Sequence, residues 1–381
     1  MTSRKWKECF HRGDFLNNRQ FYICWQLLLP GYGRRIWEII DFFGSPRQAW
    51  EASEKDLSQI SFLGSQGAQR LIRQRENINY EHIIQHCENI GCSIVTMVDE
   101  GYPPLLKAIY DPPPALFVRG RLPREKAAVA VVGSRRPTPY GLAASEAMAG
   151  ELAMAGLVIV SGMARGIDSA AHRGALKVKG DTVAVLGCGP DIVYPRENGC
   201  LMKQIIDQGA VVTEFPPGSP PVGWHFPSRN RIISGLSAAV LVVEAAEKSG
   251  ALITADLALE QGREVLAIPG NITSLQSSGT NTLIKEGARL VAGPLDVLEP
   301  LGLGELFIHP QPQDPPLAPE EKKVYTCLSY LPQSLEEIVA ESHLKPQEAA
   351  AALTLLEVKG LIRIVQGKMY VRAGQPGLPM F

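Results

Sequence analysis

The sequence of 381 residues lacks the features of a membrane protein and of a cross-linked one. Its seven cysteines are scattered, odd in number and without a C-x-x-C pair, which excludes a disulfide framework or zinc site and is typical of reduced thiols. No stretch reaches the roughly 18 apolar residues of a membrane span, and the N-terminal MTSRKWKECFHRGDF has no signal-peptide core. We therefore expect a soluble, cytoplasmic protein without membrane contact.

The chain also lacks an excess of charge of either sign. Lys and Arg number 38 and Asp and Glu 39, so the net charge is −1 and no global field attracts polyanions. Binding of nucleic acid would therefore need a local basic patch. The P-loop, G-x-S-x-G and H-E-x-x-H patterns are absent as well, which argues against the enzyme classes that they mark.

The length predicts two or three domains, and residues 1–85 are predicted to form a small all-helical one. Apolar residues recur at helical spacing in FYICWQLLL and RRIWEIIDFF. The glycine-containing turns LPGYG (29–33) and FLGSQG (62–67) allow two interpretations. They are either ordinary turns of a helical bundle or a hairpin that presents backbone N–H groups to a DNA phosphate.

Residues 90–300 alternate between strand-like and helix-like segments. The strand candidates are nearly continuous apolar runs, which indicates strands buried on both faces and hence a mainly parallel sheet. The segments between them have the length of crossover helices. The pattern predicts a Rossmann-like, doubly wound α/β domain with these strands: SIVTMV (93–98), AVAVVG (128–133), LVIVSG (157–162), TVAVLG (182–187), AVVTEF (210–215), AAVLVVEA (238–245), EVLAIPG (264–270) and ARLVAG (288–293).

A proline-rich linker, 301–318, separates this core from a C-terminal domain, 319–373. Three helix-like segments and a hairpin signal at Gln366–Gly367 predict a winged helix. Ser334 and Glu337 form a predicted capping box for its second helix. The third helix, with Pro346 in its first turn and Gly360 past its end, has few groups able to read base edges. We expect this domain to contact protein or modulate the core rather than bind duplex DNA.

The carboxyl ends of the core strands carry glycines and cations, and open parallel sheets bind ligands at that edge. The stretch VAVVGSRRPTPYG (129–141) begins like a dinucleotide-binding turn, but Arg135 and Arg136 stand where a pyrophosphate would meet bare backbone. In GWHFPSRNRIISGLS (223–237), aromatic residues directly precede arginines, a combination suited to stacking bases and holding phosphates. A strand of nucleic acid, with its row of phosphates, fits successive guanidinium groups better than one dinucleotide does.

Asp168 and His172, four residues apart in SGMARGIDSAAHRGAL, allow a second interpretation as a metal or acid–base pair. No third ligand or nucleophile accompanies them, and Asp168 can simply cap the helix.

Six segments together resemble the DNA-processing protein A family (DprA/Smf): VVGSRRPTPYG, SGMARGIDSAAHRGAL, AVLGCGPDIVYPREN, HFPSRNRIISGLS, EAAEKSGALITADLALEQGREVLAIPGN and GTNTLIKEGA. The resemblance covers roughly 90–300 in order, with the helical and winged-helix regions in the family's usual positions. It implies a non-catalytic protein, without cofactor or metal, that binds and protects incoming single-stranded DNA. It also implies loading of the RecA recombinase in natural transformation and recombination, and a homodimer through the Rossmann-like domain.

The resemblance and the strand-end positions together assign fourteen residues to DNA binding. Arg135 corresponds to the family's main phosphate contact. The full set is Gly133, Ser134, Arg135, Arg136, Ser161, Gly162, Arg165, Phe226, Arg229, Asn230, Arg231, Lys248, Ser249 and Gly250.

The alternative is a nucleotide-binding enzyme, because phosphoribohydrolases of the cytokinin-activating type resemble this sheet. Those enzymes carry P-G-G-x-G-T-x-x-E with a catalytic Glu. Here EKSGALITADLAL keeps Gly250 and Thr254 but has no Glu three residues after that Thr. The sequence therefore favours binding over hydrolysis.

Overall fold

A computed structural model describes residues 18–306, 317–329, 333–359, 361–365 and 369–372. These residues belong to two compact units that divide between Gly304 and Glu305. The helical region and the sheet region lie in the first unit, and the winged helix lies in the second. None of the helices in the described ranges is long and apolar enough to cross a membrane.

The first region is helical, as predicted, for the part of 1–85 that the structure describes; residues 1–17 lie outside the described residues. Its helices surround a core that includes Trp25, Ile36 and Leu57, all without solvent exposure. Ser53 and Asp56 cap the fourth helix reciprocally. The helices are α1 (Asn18–Leu28), α2 (Gly33–Phe43), α3 (Pro46–Glu51), α4 (Glu54–Leu57), α5 (Gly64–Glu76) and α6 (Tyr80–Asn89).

The LPGYG turn between α1 and α2 packs against the sheet region. Gly31 has φ +81°, and a Cβ there would lie 2.8 Å from the Trp224 ring. The Ser228 hydroxyl donates to the Gly31 carbonyl at 3.1 Å, and a Cβ on Gly33 would lie 2.9 Å from the Asp111 carbonyl oxygen. Glycine is needed at this turn because the second region approaches so closely. Of the two interpretations of LPGYG, the structure supports the packing turn.

The second region is built on a nine-stranded sheet in the order β1-β2-β6-β5-β4-β3-β7-β8-β9. Strands β3 to β9 pair in parallel, whereas β2 runs antiparallel to both β1 and β6. The strands are β1 (Cys92–Thr96), β2 (Ala115–Gly120), β3 (Ala128–Val132), β4 (Val158–Ser161), β5 (Thr182–Val185), β6 (Ala210–Thr213), β7 (Ala239–Val242), β8 (Glu264–Ala267) and β9 (Arg289–Leu290).

All eight strand candidates coincide with strands of this sheet, although β1 begins one residue before its candidate, and the mainly parallel, doubly wound prediction is confirmed. The missed strand is β2, which follows three consecutive prolines, Pro112–Pro114. Those prolines obscured a short buried strand that does not follow a crossover helix. Strand β2 places the antiparallel β1–β2 pair at one margin of the parallel sheet.

Helices cover both faces of the sheet. Val183 and Val185 of β5 point to one face and join the core that contains residues of α11 and α12, whereas Ala184 points to the other and packs with α10. Helices α8 and α9 pack together beside β3 and β4. The helices of this region are α7 (Pro104–Lys107), α8 (Pro139–Met154), α9 (Ile167–Lys177), α10 (Gly199–Gln208), α11 (His225–Gly235), α12 (Gly250–Glu260), α13 (Ser278–Lys285) and α14 (Leu295–Leu298).

The described residues of the C-terminal unit form three α-helices and an antiparallel strand pair, which confirms the winged-helix prediction. Ser334 and Glu337 form the expected capping box, with N–H to side-chain oxygen distances of 2.7 and 3.2 Å. The hairpin turn 366–368, Gly360 and the linker residues 307–316 lie outside the described residues. The elements are α15 (Pro319–Cys327), α16 (Leu335–Ser342), α17 (Pro346–Val358), β10 (Ile362–Val365) and β11 (Met369–Arg372).

Candidate nucleic-acid interface

A cavity of about 550 Å³ opens at the carboxyl edge of the sheet, where the strand order reverses. From β3 the chain continues to β4 on one side and later returns to β7 on the other. The loops after β3 and β7 therefore separate and leave a crevice, the usual ligand position of a doubly wound sheet. Residues of α11 and of the start of α12 form most of the remaining wall.

Ten of the fourteen predicted DNA-binding residues line this cavity. They come from three separate segments that the fold brings together. They are Gly133, Ser134, Arg135, Arg136, Phe226, Arg229, Asn230, Lys248, Ser249 and Gly250.

The loop after β3 is held in a fixed conformation while its two arginines stay exposed. The Ser134 N–H donates to the Glu244 carbonyl at 2.7 Å, and the Arg136 N–H donates to the Ser134 hydroxyl at 3.1 Å. A Cβ on Gly133 would lie 2.7 Å from the Ile167 side chain, so only glycine permits the loop after β3 to approach the start of α9 this closely. Arg135 and Arg136 themselves are exposed at the cavity.

Glu244, two residues after the end of β7, fixes the same loop through hydrogen bonds from Thr138. Its buried carboxylate accepts hydrogen bonds from the Thr138 N–H at 2.8 Å and the Thr138 hydroxyl at 2.5 Å. Thr138 in turn caps α8 by accepting from the Gly141 N–H. Sequence reasoning did not assign Glu244 a role. An acidic residue inside a run of buried apolar residues was the available signal, because such a group requires partners.

The Phe226 ring lies between the Arg135 guanidinium and the backbone at Gly187. The Arg135 guanidinium lies over this ring, 5.5 Å from the centroid. A Cβ on Gly187, after β5, would lie 3.0 Å from the ring, so the absence of a side chain at Gly187 leaves room for the Phe226 ring. Asn230, one helical turn further along α11, donates weakly to the Gly250 carbonyl at 3.4 Å and links α11 to the start of α12.

Arg229 forms part of the cavity wall as a buried cation. It donates to the Gly162 carbonyl at 2.7 Å and to the Val185 carbonyl. Burial lowers the pKa of this guanidinium to about 10, so it remains protonated at neutral pH. The neighbouring Asp168 carboxyl is also buried; burial raises its pKa and Arg229 acts in the opposite direction. Both side chains line the cavity.

The loop before α12 contributes Lys248 and a helix N-terminus. Lys248 is exposed at the cavity, and the Ser249 hydroxyl caps the helix by accepting from the Ala251 N–H at 3.3 Å. N–H groups at the start of a helix favour anions. Gln276, which sequence reasoning did not single out, closes the opposite wall, where it accepts from the Ser134 hydroxyl at 3.1 Å.

Gly162 and Arg165 belong to a smaller neighbouring cavity of about 40 Å³. Its wall is shared with the main cavity through Arg135, Phe226 and Arg229. The exposed Arg165 side chain forms an ion pair with Glu197.

Two of the predicted residues do not present their side chains to either cavity. Arg231 is buried on the opposite side of α11, where it pairs with Glu214 at 2.6 Å and with Asp111 at 3.1 Å. Ser161 has no solvent exposure, and its hydroxyl donates to the Val131 carbonyl at 2.7 Å. The helical rotation of side chains along α11 turns Arg231 inward, and the alternation of side chains along β4 does the same for Ser161. Their assignment to DNA contact requires correction.

The aromatic run Trp224–Phe226 divides between two roles. Trp224 packs against Tyr32 and Phe215, with ring centroids 5.1 and 6.2 Å apart, and His225 stacks on Phe215 at 3.9 Å. These two side chains anchor the segment on the helical region and the core. Only Phe226 of the three lines the cavity.

Asp168 and His172 do not form a metal or acid–base pair. Buried His172 contacts the Thr182 hydroxyl through Nδ1 at 2.7 Å, and burial lowers its pKa to about 3. Asp168 accepts from the Ala164 N–H at 3.3 Å. In the described ranges, no group of three or more His, Cys, Asp or Glu side chains is arranged to hold a metal ion.

A doubly wound sheet with a switch-point cavity lined by cations and a phenylalanine defines a Rossmann-like protein with a candidate ligand site at its strand ends. Residues 93–302 match the family model of DNA recombination-mediator protein A, and residues 309–368 match the DprA winged helix domain. The chain therefore belongs to the DNA recombination-mediator protein A (DprA) family.

Individual relatives agree with this assignment. The chain is 35% identical over 362 residues to Protein Smf of Synechocystis sp., an alignment that covers 85% of this chain and 91% of the relative. It is 47% identical over 204 residues to the DNA processing protein DprA of Streptococcus pneumoniae, covering 53% of this chain and 72% of the relative. The X-ray structure of the pneumococcal protein superposes with a TM-score of 0.65 and 36% identity, covering 75% of this chain and 98% of that one.

Proposed function

We propose that this protein binds single-stranded DNA at the carboxyl-edge cavity and that it acts without catalysis. The observation that carries the proposal is the charge at the cavity: Arg135, Arg136, Arg229 and Lys248 line it, against one carboxylate, Asp168. In a chain whose net charge is −1, this concentration of positive charge favours a polyanion at this place.

The partly buried ring of Phe226 favours single strands over duplex. A base can stack on an aromatic side chain only when it is released from its own helix, and such stacking depends little on sequence. The names of the relatives, DNA processing protein and DNA recombination-mediator protein, agree with a DNA ligand.

Anisotropy titrations of labelled single-stranded and duplex oligonucleotides test this function. We expect tighter binding of single strands, weakening as salt rises because phosphate contacts release counterions. Arg135→Ala is expected to weaken binding by about 1–3 kcal/mol, the value of a charge-assisted contact. Equal affinity for both DNAs, or indifference to the substitution, would contradict the proposal.

The main alternative, a phosphoribohydrolase-like enzyme, needs a carboxylate at the reacting bond. The Glu three residues after Thr254 that such an enzyme requires is absent: Leu257 occupies that position. Incubation with nucleoside monophosphates separates the two functions, since the enzyme would release free base and the binding protein would not.

The family resemblance supports a further role for the bound strand: protection from nucleases and loading of the RecA recombinase in the cytoplasm during natural transformation. Strand-exchange assays with RecA and a single-strand-binding protein test this role. We expect this chain to shorten the lag before exchange, and Arg135→Ala to remove the effect.

A homodimer through the Rossmann-like region fits the exposed apolar side chains on the loop after β8. Ile272 is 92% exposed and Leu275 82% exposed, and the same loop carries Gln276 of the cavity wall. Apolar side chains grouped on an exposed surface favour a protein contact, and these two lie three residues apart on one loop. Light scattering should give a dimer mass for the wild type and a monomer mass for Ile272→Asp/Leu275→Asp.

The winged helix fits protein contact better than duplex binding. The exposed side of α17 and the adjoining β10 present Leu355, Val358 and Ile364, and Lys359 pairs with Glu321. Binding of duplex DNA by residues 318–373 at physiological salt would contradict this view.

A further inference from the structure

We propose that Tyr194 is a second base-stacking residue, so that the DNA strand continues from the main cavity across the sheet edge to the end of β5. This inference rests on the proposed function, since it assigns a further residue to the same ligand. Tyr194 belongs to the loop after β5 and is 40% exposed.

The Tyr194 ring extends the aromatic surface that Phe226 begins. The two ring centroids are 5.2 Å apart, with 36° between the ring planes. Phe226 is thus in contact with Arg135 on the side of the main cavity and with Tyr194 in the smaller cavity. A strand that places one base on Phe226 meets a second aromatic ring next to it.

Cations accompany this surface on both sides. Arg165 lines the smaller cavity together with Tyr194, whereas Lys248 lies on the opposite side of the main cavity. Together with Arg135, these residues follow four strands that are neighbours in the sheet, β7, β3, β4 and β5. Three spacings of about 4.8 Å give a row of roughly 14 Å. Successive phosphates of a single strand can follow a row of this length.

The loop that carries Tyr194 is fixed before any ligand arrives. The Asn198 side-chain amide donates to the Met163 carbonyl and to the Ser169 hydroxyl, both at 2.9 Å. The Thr213 hydroxyl donates to the Cys188 carbonyl at 2.9 Å at the other end of the loop. A stacking residue held in this way loses little conformational entropy when a base binds.

The residue type at this position also favours contact with a base over core packing. The adjoining Pro195 is buried, whereas the Tyr194 ring remains accessible beside an arginine. Tyrosine provides a π-face that accepts any of the four bases, and Arg165 provides the phosphate contact.

The test uses full-length protein and a set of oligo-dT strands, each with one abasic position, titrated by anisotropy. With wild type, we expect abasic sites at two neighbouring positions to weaken binding most. Tyr194→Ala should weaken binding of the intact strand about fivefold or more, which corresponds to roughly 1 kcal/mol per stacked base. It should also remove the sensitivity at one of the two positions, whereas Phe226→Ala removes it at the other.

Two further variants separate stacking from a structural effect. Tyr194→Phe keeps the ring and should bind as wild type does. Tyr110→Ala removes a tyrosine that is 79% exposed and lines neither cavity, and it should leave binding unchanged.

Failure of this inference is distinguishable from failure of the proposed function. If Arg135→Ala weakens binding but Tyr194→Ala does not, the Tyr194 assignment falls and the function stands. The assignment also falls if Tyr194→Ala weakens binding while both abasic sensitivities persist. If wild type binds none of the strands, the proposed function itself is wrong.

Discussion

The two sides of helix α11 show how similar residues acquire different roles. On the cavity side, Phe226 and Arg229 face an open space with an excess of positive charge. On the other side, Trp224 before the helix and Arg231 within it meet the helical region and two carboxylates. Aromatics are followed by arginines within one short segment, and the available partners decide which of them are structural.

A buried arginine held by two carboxylates therefore has a structural role, whereas exposed cations at the cavities are available to a ligand. Arg231 has Glu214 and Asp111 within 2.6 and 3.1 Å. Arg135 and Lys248 form no ion pair with any residue of the described ranges. Their charges are free for phosphates, whereas the charge of Arg231 ties α11 to the segments before β2 and after β6.

The largest expected effect is on stability and comes from Arg231→Ala. It leaves Glu214, which has no solvent exposure, as a buried carboxylate without its cation, which costs about 3–5 kcal/mol of unfolding free energy. Urea denaturation measures this loss. The folded fraction should bind single-stranded DNA as wild type does. A variant with wild-type stability but lost DNA binding would instead make Arg231 a DNA contact.

The next effect is on DNA affinity and comes from the cavity cations. Arg135→Ala and Lys248→Ala should each lower the affinity by about 1–3 kcal/mol and reduce the salt slope by about one. Their unfolding free energy should stay within about 0.5 kcal/mol of wild type, because both side chains are exposed. Titrations at several salt concentrations, with urea curves of the same preparations, measure both quantities. A loss of stability without a change in salt slope would contradict the assignment of Arg135 and Lys248 to phosphate contact.

Alanine substitutions of Phe226 and Trp224 form a matched pair, for which we expect a smaller effect on DNA affinity than for the cavity cations. Phe226→Ala should weaken binding of single strands by about 1 kcal/mol or more, through the lost stacking surface. Trp224→Ala should destabilise the contact with Tyr32 and leave DNA affinity nearly unchanged. Anisotropy and thermal unfolding of both variants check this division, and it fails if both variants lose DNA affinity equally.

The smallest expected effect is an increase in affinity for single-stranded DNA. Glu197→Gln removes the ion pair that holds the exposed Arg165, which leaves that guanidinium free for a phosphate. Binding of single strands should tighten by less than about fivefold, because exposed ion pairs are weak. Titration beside Glu286→Gln, a control for the lost negative charge alone, measures the difference. A weakening by Glu197→Gln would show that the pair positions Arg165 for DNA.

Much of the fold could be predicted because its signals are local. Buried parallel strands such as AVAVV and AVLV are continuous apolar runs, and Ser334–Glu337 marks a helix start by chemistry alone. Strand β2 was missed because its antiparallel pairing depends on β1 and β6, which no local pattern specifies.

The sequence predicts which strand ends form the cavity. It does not predict which side chains at those ends point into the cavity. The sequence places Arg229 and Arg231 two residues apart without showing that Glu214, from the end of β6, lies next to only one of them. Glu244 and Tyr194 were missed for the same reason, since their roles depend on Thr138 and Phe226, which are distant in the chain.

Hydrogen exchange of the full-length protein, with and without a saturating oligo-dT strand, tests most directly whether DNA binds at the carboxyl edge of the sheet. We expect new protection in the loops after β3, β4 and β7, at residues 133–138, 161–166 and 246–251. The LPGYG turn and residues 317–372 should exchange as in the free protein. Protection confined to the winged helix, with these three loops unchanged, would contradict a DNA site at this edge.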